Sequence, residues 1–349
     1  MLIPTYWAQY CLAIKHRGKD AHIWRFGWSN ISQQDAENHA KARCEIALET
    51  LTRTGKIKFF DVRDNYLGLE RQLPIKEQVL ERFDDGSVLT VNSYGASCLN
   101  VPDVLILDID NEDILAHLAT LSATKKPEPI RLCWAVLMSA LVCLALGQVI
   151  NPFLATALFV PMLIPMIYLI DWIDDKRAAA WQVKVVQKVG GFERFISETL
   201  AEFTRAHNLS FRLYATPSGF RAIATNQRYL PSDEMVGRCF AALFVDKRYA
   251  HLCKIQRCFR SRVTAKPWRM TEEMGALPTK QFWVDDRYSW QNELLGLRQT
   301  WLKEYHANAR QYRACRFVAS FGTKQDDGVM AFVALHDRLC QCERELPMG

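Results

Sequence analysis

The chain has 349 residues, of which 49% are hydrophobic and 23% are charged, and its formal net charge is +6. This length allows two ordinary domains or one large one, and the balance of apolar and charged residues excludes a chain that is disordered throughout. The 11 cysteines are odd in number and spread along the chain, which excludes an evenly paired, secreted disulfide framework and predicts reduced thiols.

Two pairs of cysteines are close in sequence, Cys253 with Cys258 and Cys340 with Cys342. A structural zinc site needs four ligands, usually cysteine and histidine. Neither pair has the companion ligands that such a site needs, so we interpret these cysteines as inert thiols.

The N-terminal part of the chain alternates strand and helix signals. Strands at 6–15 and 22–28 flank a polar turn. The next helix begins after Ser32, whose capping-box partner is Asp35, and it ends before Gly55. Pro74 suits a first helical position and the pattern of 75–83 predicts a short helix. Three strands and a helix are then predicted at 88–92, 96–100, 104–110 and 111–123.

A stretch without any charged residue covers 132–170. A single helix of this length would extend for about 58 Å, nearly twice the ~30 Å hydrocarbon core of a bilayer. Gly147 and Pro152 bound a break in the pattern, so the stretch predicts a transmembrane hairpin of two helices. Pro161 and Pro165 would kink the second helix and allow a re-entrant arm. The alternative is a buried hairpin in the core of a globular domain.

Basic residues flank this stretch on both sides and are absent from its turn. By the positive-inside rule, this distribution predicts a protein of the inner (plasma) membrane whose termini are both cytoplasmic. Trp134, Tyr168 and Trp172 fit the aromatic belts of a bilayer interface. Membrane lipid is therefore one expected partner.

The rest of the chain is mainly helical in pattern. The predicted elements are a helix at 177–207 with a break at Gly190 and Gly191, hairpin strands at 209–216 and 220–226, helices at 232–245 and 248–258, an extended segment at 260–265, and closing helices at 290–321 and 328–346. We expect the strand that ends at Asp110 and the strand at 209–216 to be neighbours in a strand–helix–strand unit.

These elements predict an α/β (α+β) cytoplasmic domain that is interrupted by a two-helix transmembrane hairpin and followed by a helical C-terminal region. The N-terminal half of the α/β domain is assigned to 1–130 and the hairpin to 131–173. The C-terminal half is assigned to 174–288 and the helical region to 289–349.

Two carboxylates end the apolar strand at 104–110. Asp108 and Asp110 are two residues apart, so their side chains project from the same face of the strand. Neighbouring carboxylates repel unless a cation lies between them, and Mg²⁺ or Mn²⁺ suits such hard oxygen ligands. We interpret the pair as a metal site. The alternative is that Asp110 caps the following helix, with Asp113 in the first turn, and that Asp108 is merely solvated.

Two further segments have the chemistry to bind phosphate. Thr216, Ser218 and Gly219 end a strand and form a turn, and Arg221 begins the return strand, so backbone N–H groups and a guanidinium occur together. An ordinary hairpin is the alternative. Residues 254–269, called the basic segment below, contain six cations and no acid. They are Lys254, Arg257, Arg260, Arg262, Lys266 and Arg269.

Solvated protein surfaces normally mix charges of both signs. The single sign of the basic segment therefore predicts contact with phosphate, nucleic acid or anionic lipid. A charged surface without a ligand is the alternative.

Five motifs together resemble a bacterial protein family that has no established activity. The resemblance covers most of the chain outside 132–170, and the members of the family look soluble, so that stretch departs from them as an insertion. The motifs are Asn92-Ser93-Tyr94-Gly95, Leu107-Asp108-Ile109-Asp110, the segment from Tyr214 to Arg221, the segment from Gln256 to Arg269, and Leu335-His336-Asp337-Arg338.

More remotely, the pattern is similar to the archaeo-eukaryotic primase superfamily. In that superfamily, an Asp-x-Asp strand is followed by a Ser-containing turn, a histidine-bearing strand and a further acid. Asp108 and Asp110 match the first element, Ser218 and Gly219 resemble the second, and Arg221 stands near the position of the histidine. Asp285 or Asp286 is the candidate third acid. This resemblance implies a metal-dependent nucleotidyl-transfer core.

A rival resemblance is to the haloacid-dehalogenase-type phosphohydrolases. These have an Asp-x-Asp after an apolar strand, then a Thr or Ser, a lysine and an acidic pair. Asp108, Asp110, Thr216, Lys266 and Asp285-Asp286 occur in that order. The Glu112 that follows Asn111 departs from the usual pattern after the first motif.

We therefore expect a membrane-anchored, metal-dependent protein that acts on or binds a phosphate-bearing ligand, such as a nucleotide or nucleic acid. Asp108 and Asp110 would hold Mg²⁺ or Mn²⁺, and Arg221 would be the catalytic residue that stabilises developing charge. The expected ligand-binding residues are Thr216, Ser218, Gly219, Arg257, Arg260, Arg262, Lys266 and Arg269.

Two alternatives remain open. One is a phosphohydrolase with Asp108 as nucleophile and Asp110 as acid/base. The other is a non-catalytic membrane adaptor whose basic surface binds lipid or a partner.

Overall fold

The structure is a computed structural model and describes residues 1–61, 74–121, 127, 129–130, 132–149, 159–271, 274–283 and 290–349. These residues form two compact units. The larger unit combines Met1–Asp110 with Thr199–Gly349, and the smaller unit is Asn111–Glu198. Both helices and strands contribute to the fold, which is mixed in class.

The elements are numbered here in chain order. They are β1 (Tyr6–His16), β2 (Lys19–Ser29), α1 (Gln33–Thr54), β3 (Gln78–Arg82), β4 (Val88–Val91), β5 (Ser97–Val101), β6 (Ile106–Asp110), α2 (Asn111–Leu121), α3 (Leu132–Val149), α4 (Phe159–Lys188), α5 (Phe192–His207), β7 (Phe211–Thr216), β8 (Gly219–Ala224), α6 (Glu234–Ala242), α7 (Lys247–Gln256), β9 (Phe259–Arg262), α8 (Trp290–Ala309), β10 (Arg316–Phe321) and α9 (Asp327–Cys340).

The N-terminal layer is a hairpin covered by one helix. Strands β1 and β2 pair along their whole length, and the turn residues Arg17 and Gly18 both have positive φ, at 51° and 75°, as a two-residue type I′ turn requires. The N-cap of α1 at Ser32 is confirmed, because Ser32 Oγ accepts a hydrogen bond from Asp35 N at 3.1 Å. The same hydroxyl donates to the Asp35 carboxylate at 2.8 Å.

A second sheet has the strand order β3-β4-β5-β9, with antiparallel neighbours throughout. The short helix predicted at 75–83 is wrong, because this region contains β3, in which Gln78 lies opposite Val91 of β4. The pairing partner and the packing surface decide strand formation here, and they override the local periodicity.

The third sheet has the order β10-β7-β8-β6. Strand β8 lies between β6 and β7 and is antiparallel to both. Strands β6 and β7 are therefore parallel to each other, but the expectation that they are neighbours is wrong. The predicted helix at 290–321 is also wrong in its last part, because α8 ends at Ala309 and β10 then pairs with β7.

The prediction of a transmembrane hairpin is wrong. Within the part of the chain that the structure describes, no helix combines the length and the apolar character needed to cross a bilayer. Helix α3 has 18 residues, about 27 Å, which is shorter than a hydrocarbon core of ~30 Å. Helix α4 carries charged residues from Asp171 onward, so its uncharged part is shorter still. Of the turn predicted at 147–152, residues 147–149 belong to α3, and residues 150–152 lie outside the described residues.

The inner-membrane localisation, with both termini in the cytoplasm, depended on that hairpin and is wrong for the same reason. In the smaller unit, α4 packs against both α2 and α3. The backbone N–H of Ile130 donates to the Asp174 carboxylate at 2.6 Å, which ties the segment before α3 to α4. The break between α4 and α5 at Gly190 and Gly191 is confirmed.

Gly27 in β2 tests the contact between the N-terminal hairpin and α1. A Cβ at this position would overlap the carbonyl oxygen of Ala36 and lie 2.7 Å from the Cα of Ala40. We expect Gly27→Ala to lower the free energy of unfolding by about 1–3 kcal/mol, the usual cost of overpacking, as measured by urea denaturation.

Gly237→Ala is the matched control, because a Cβ there meets nothing within 4 Å. Gly237 lies inside α6, so alanine should stabilise the protein by about 0.5–1 kcal/mol through helix propensity. Equal effects of the two substitutions would contradict this account of the packing.

Candidate functional site

The pairing of β6 with β8 positions the two predicted metal ligands. Asp108 lies opposite Arg221, and Asp110 lies opposite Gly219. Asp108 is half-buried and Asp110 is exposed, whereas Leu107 and Ile109 are buried. The two carboxylates thus share one face of β6, as alternation along a strand requires. Asp110 also directly precedes α2, so the capping interpretation stays open.

The turn between β7 and β8 adjoins these carboxylates. Gly219 is required sterically, because a Cβ there would overlap the carbonyl oxygen of Ile109 on β6. The hydroxyl of the exposed Ser218 accepts a hydrogen bond from Arg269 Nη2, so the turn and the basic segment meet. Thr216 ends β7 opposite Gly219, and β8 separates it from β6.

Arg221, the predicted catalytic residue, lies in the interior and is 3% exposed. Its Nη1 is 3.1 Å from His336 Nε2, 3.8 Å from Cys340 Sγ and 4.0 Å from Cys315 Sγ. This guanidinium therefore faces a histidine and two thiols rather than an open surface.

The structure divides the cations of the basic segment into two groups. Arg262 and Lys266 line the same cavity as Asp108, and Arg269 contacts Ser218. Arg262 donates to the backbone carbonyl of Thr264 at 2.7 Å. This carbonyl is uncharged and does not neutralise the guanidinium.

The remaining cations of the segment have other roles. Arg260 also lines the cavity, but it donates to both carboxylate oxygens of Glu77 at 2.7 Å, so its charge is neutralised within the protein. Arg257 is the exposed C-cap of α7, with φ of 52°, and Lys254 is exposed on that helix. Neither Arg257 nor Lys254 lies among the described residues that line the cavity.

Several positively charged side chains lie close to Asp108 and to one another. Burial raises the pKa of Asp108, and surrounding cations, foremost Arg221, oppose that shift. Burial and the like charges of Arg262 and Arg269 lower the pKa of Lys266, and neighbouring carboxylates oppose this shift without cancelling it. Mutual repulsion of this kind is relieved when an anion binds between the cations.

The cavity has a volume of about 1130 Å³. Among the described residues that line it, lysines and arginines outnumber aspartates and glutamates by nine to four. Aromatic rings contribute as well, including Trp24, the exposed Phe60, and Trp283. The surface is therefore cationic and aromatic, a combination suited to phosphate and to flat, π-bonded rings.

A further acid, Asp246, lines this cavity. No motif in the sequence indicated that Asp246 lies near Asp108. Its backbone N–H donates to the carbonyl oxygen of Asp108 at 3.3 Å, and its negative charge contributes to the raised pKa of Asp108. Its carboxylate also caps α7 by accepting from Arg248 N at 2.9 Å. The predicted third acids, Asp285 and Asp286, lie outside the described residues.

Sequence reasoning missed a cluster of buried thiols and imidazole around Arg221. Cys315, Cys340 and Cys342 have their sulfur atoms within 4.8 Å of one another, and His336 Nε2 is 3.4 Å from Cys340 Sγ. The fold thus supplies Cys315 as a companion of the Cys340/Cys342 pair, whereas the other companion, His336, lies only four residues before Cys340. The spacing His336-x-x-x-Cys340, which places both side chains on one face of a helix, was the available signal.

The chain matches no protein-family model, no curated protein and no solved structure. The resemblances to a bacterial family, to primases and to phosphohydrolases therefore stay predictions.

The ion pair between Glu77 and Arg260 provides a test of whether Arg260 has a structural role rather than a ligand-binding one. Removing one partner of a largely buried ion pair leaves the other charge uncompensated. We expect Glu77→Gln to lower the free energy of unfolding by about 3 kcal/mol, the lower end of the usual range of about 3–5 kcal/mol for a buried pair. The lower end applies because the side chains of Glu77 and Arg260 remain 13% and 19% exposed.

The double variant Glu77→Leu/Arg260→Met should recover most of that loss, since apolar groups of similar size can replace a buried pair. Chemical denaturation of the three proteins measures both effects. A negligible change in Glu77→Gln would mean that Arg260 is not held by this pair.

Proposed function

We propose that the larger unit binds a nucleotide or single-stranded nucleic acid through its phosphates, together with Mg²⁺ or Mn²⁺ at Asp108. The observation that carries the proposal is that Asp108, Arg262 and Lys266 line one cavity. A carboxylate and two cations in one cleft are complementary to a phosphate that arrives with a divalent cation.

The ligand set supports a cation that is shared with the ligand rather than enclosed by protein. Mg²⁺ is usually held by one or two carboxylates, with phosphate oxygens and water completing an octahedron. Asp108 faces the cavity, and Asp110 lies on the same face of β6, so these two residues can supply the protein's share. In this arrangement the metal neutralises charge that the phosphates carry.

The aromatic residues of the cavity favour a nucleotide over a small phosphomonoester. Stacking of a base on an aromatic side chain contributes about 1–3 kcal/mol and tolerates any base. Trp24, Phe60 and Trp283 line the cavity that Asp108 reaches, and its volume of about 1130 Å³ accommodates a nucleoside as well as its phosphates.

Within this proposal, Arg262 and Lys266 bind the phosphates, and Arg269 does so from the Ser218 turn. Arg221 is buried and lies opposite Asp108 on the neighbouring strand, so it acts on the ligand only through the position and charge of that carboxylate. Nucleotidyl transfer is the reaction that the primase resemblance implies, and this assignment of residues is compatible with a core that binds its ligand without turnover.

The first test measures the melting temperature of the full-length protein with ATP and Mn²⁺. We expect ATP and Mn²⁺ together to raise the melting temperature more than either does alone, since a ligand at a hundred times its Kd stabilises by about 2.7 kcal/mol. In the Asp108→Asn variant, the rise in melting temperature that depends on Mn²⁺ should be lost. Burial raises the pKa of Asp108, and the metal binds only the deprotonated carboxylate. In the wild-type protein, the Mn²⁺-dependent rise in melting temperature should therefore increase as the pH rises through that pKa.

Asp175→Asn is the matched control, because Asp175 is an exposed carboxylate of the smaller unit. It should retain the full shift. Loss of the shift in both variants, or its absence in the wild-type protein, would refute the metal site. Hydrolysis of a generic phosphomonoester without nucleotide binding would support the phosphohydrolase alternative instead.

The second test uses the lowered pKa of Lys266. Since burial and neighbouring cations lower this pKa, Lys266 loses its proton at a lower pH than an ordinary lysine does. The affinity for a labelled single-stranded oligonucleotide should therefore weaken as the pH rises into the alkaline range, and Lys266→Arg should remove that dependence because a guanidinium stays charged.

Fluorescence anisotropy measures this affinity. The ionic strength is kept constant because phosphate binding depends steeply on salt. Lys254→Arg is the control, since Lys254 is exposed on α7 and should leave the pH dependence unchanged. An identical pH profile in wild type and Lys266→Arg would exclude Lys266 from the binding site.

A further inference from the structure

The thiol and imidazole cluster lies where the end of α9 meets the beginning of β10. Cys315 directly precedes β10, and Cys340 is the last residue of α9. The backbone N–H of Ala314 donates to the carbonyl oxygen of Cys340 at 2.9 Å. These two chain segments are therefore held together by backbone hydrogen bonding, independently of the side chains.

The C-terminal cap of α9 brings the third cysteine back to the same place. Gln341 adopts a left-handed conformation with φ of 55°, and the N–H of Cys342 then donates to the carbonyl oxygen of Asp337 at 3.1 Å. This is the pattern of a helix cap in which the chain reverses after the last turn. Cys342 thus faces the cluster although it follows Cys340 by only two positions.

Two distances within the cluster are close to those between neighbouring ligands of a tetrahedral metal centre. Cys315 Sγ is 3.4 Å from Cys342 Sγ, and His336 Nε2 is 3.4 Å from Cys340 Sγ. Around a tetrahedral zinc ion, neighbouring sulfur and nitrogen ligands are about 3.6–3.8 Å apart. All four residues are at most 3% exposed, so the site is closed to solvent.

The surroundings of His336 fix the ring for coordination through Nε2. Its Nδ1 is 3.0 Å from the carboxylate of Asp337, and the other oxygen of that carboxylate accepts from Arg212 at 2.9 Å. A histidine that donates its Nδ1 proton to an anchored carboxylate presents the lone pair of Nε2 to the centre of the cluster. The same carboxylate–histidine arrangement orients metal-ligating histidines in general.

The charge of Arg221 completes the site. Three thiolates, a neutral imidazole and Zn²⁺ together carry one negative charge, which would be costly in the interior without a counter-ion. Arg221 Nη1 is 3.8 Å from Cys340 Sγ and 4.0 Å from Cys315 Sγ. The guanidinium is therefore positioned to donate to the thiolates and to balance their charge once Nε2 binds metal.

We propose that Cys315, His336, Cys340 and Cys342 form a structural zinc site of the Cys₃His type. Thiolate and imidazole ligands select zinc over hard cations, and four protein ligands leave no open position for a substrate. The site would join the C-terminal end of α9 to β10 and hold the guanidinium of Arg221, which lies opposite Asp108 on the neighbouring strand. It is separate from the Mg²⁺ or Mn²⁺ proposed for the cavity, and neither proposal depends on the other.

The first experiment determines the metal content of the full-length wild-type protein, purified without chelators and under reducing conditions. We expect one zinc per chain by mass spectrometry of the metal. Replacement by Co²⁺ should give the intense visible bands of tetrahedral cobalt together with sulfur-to-metal charge transfer. Because both measurements use the wild-type protein, they do not depend on whether a variant folds.

The second experiment uses variants with a matched control. Cys342→Ser and His336→Ala should lose bound zinc, whereas His336→Cys should retain it because a fourth thiolate replaces the imidazole. Cys239→Ser is the control, since Cys239 is a fully buried cysteine of α6 outside the cluster, and it should keep one zinc per chain.

Wild-type protein that contains no zinc and gives no tetrahedral cobalt spectrum would overturn the proposal. So would a disulfide between Cys315 and Cys342 in protein kept under reducing conditions. Zinc that persists in both Cys342→Ser and His336→Ala would show that the metal binds elsewhere.

Discussion

Arg221 is a positive charge enclosed in the larger unit, and the arrangement around it explains much of the organisation of this protein. Removing a guanidinium from water is costly unless hydrogen bonds and opposite charges compensate. Its Nη1 contacts His336 and the thiols of the cluster, and Asp108 lies opposite it on the neighbouring strand. The pairing of β6 with β8 and the docking of α9 thus meet at one buried cation.

The two arginines of β9 show how the same residue type serves different purposes. Arg260 and Arg262 are two residues apart and project from the same face. Arg260 is neutralised by Glu77, whereas the carbonyl of Thr264 to which Arg262 donates is neutral. Positive charge therefore remains beside Lys266, whose pKa is lowered by burial and by that charge. A surface left in this state is stabilised by binding an anion.

The local elements of the fold could largely be predicted because their signals lie within a few residues. The N-cap at Ser32, the hairpin that turns at Pro217 and Ser218, and the helix break at Gly190 and Gly191 all follow from short-range geometry. The errors occur at β3 and β10, where a partner distant in sequence decides the conformation. The apolar stretch misled the prediction in another way, because absence of charge alone says nothing about where a helix begins and ends.

The sequence by itself determined that two carboxylates share a strand face and that a segment of one charge sign follows them. Only the tertiary structure decided which of the six cations line the cavity with Asp108 and which of those keep an uncompensated charge, because that depends on the register of β9 and on the carboxylate that Glu77 supplies to Arg260. Likewise, only the fold brings Cys315 to His336, Cys340 and Cys342. The physical reason is common to both cases: strand register and helix docking set distances between residues, and spacing along the chain does not encode those distances.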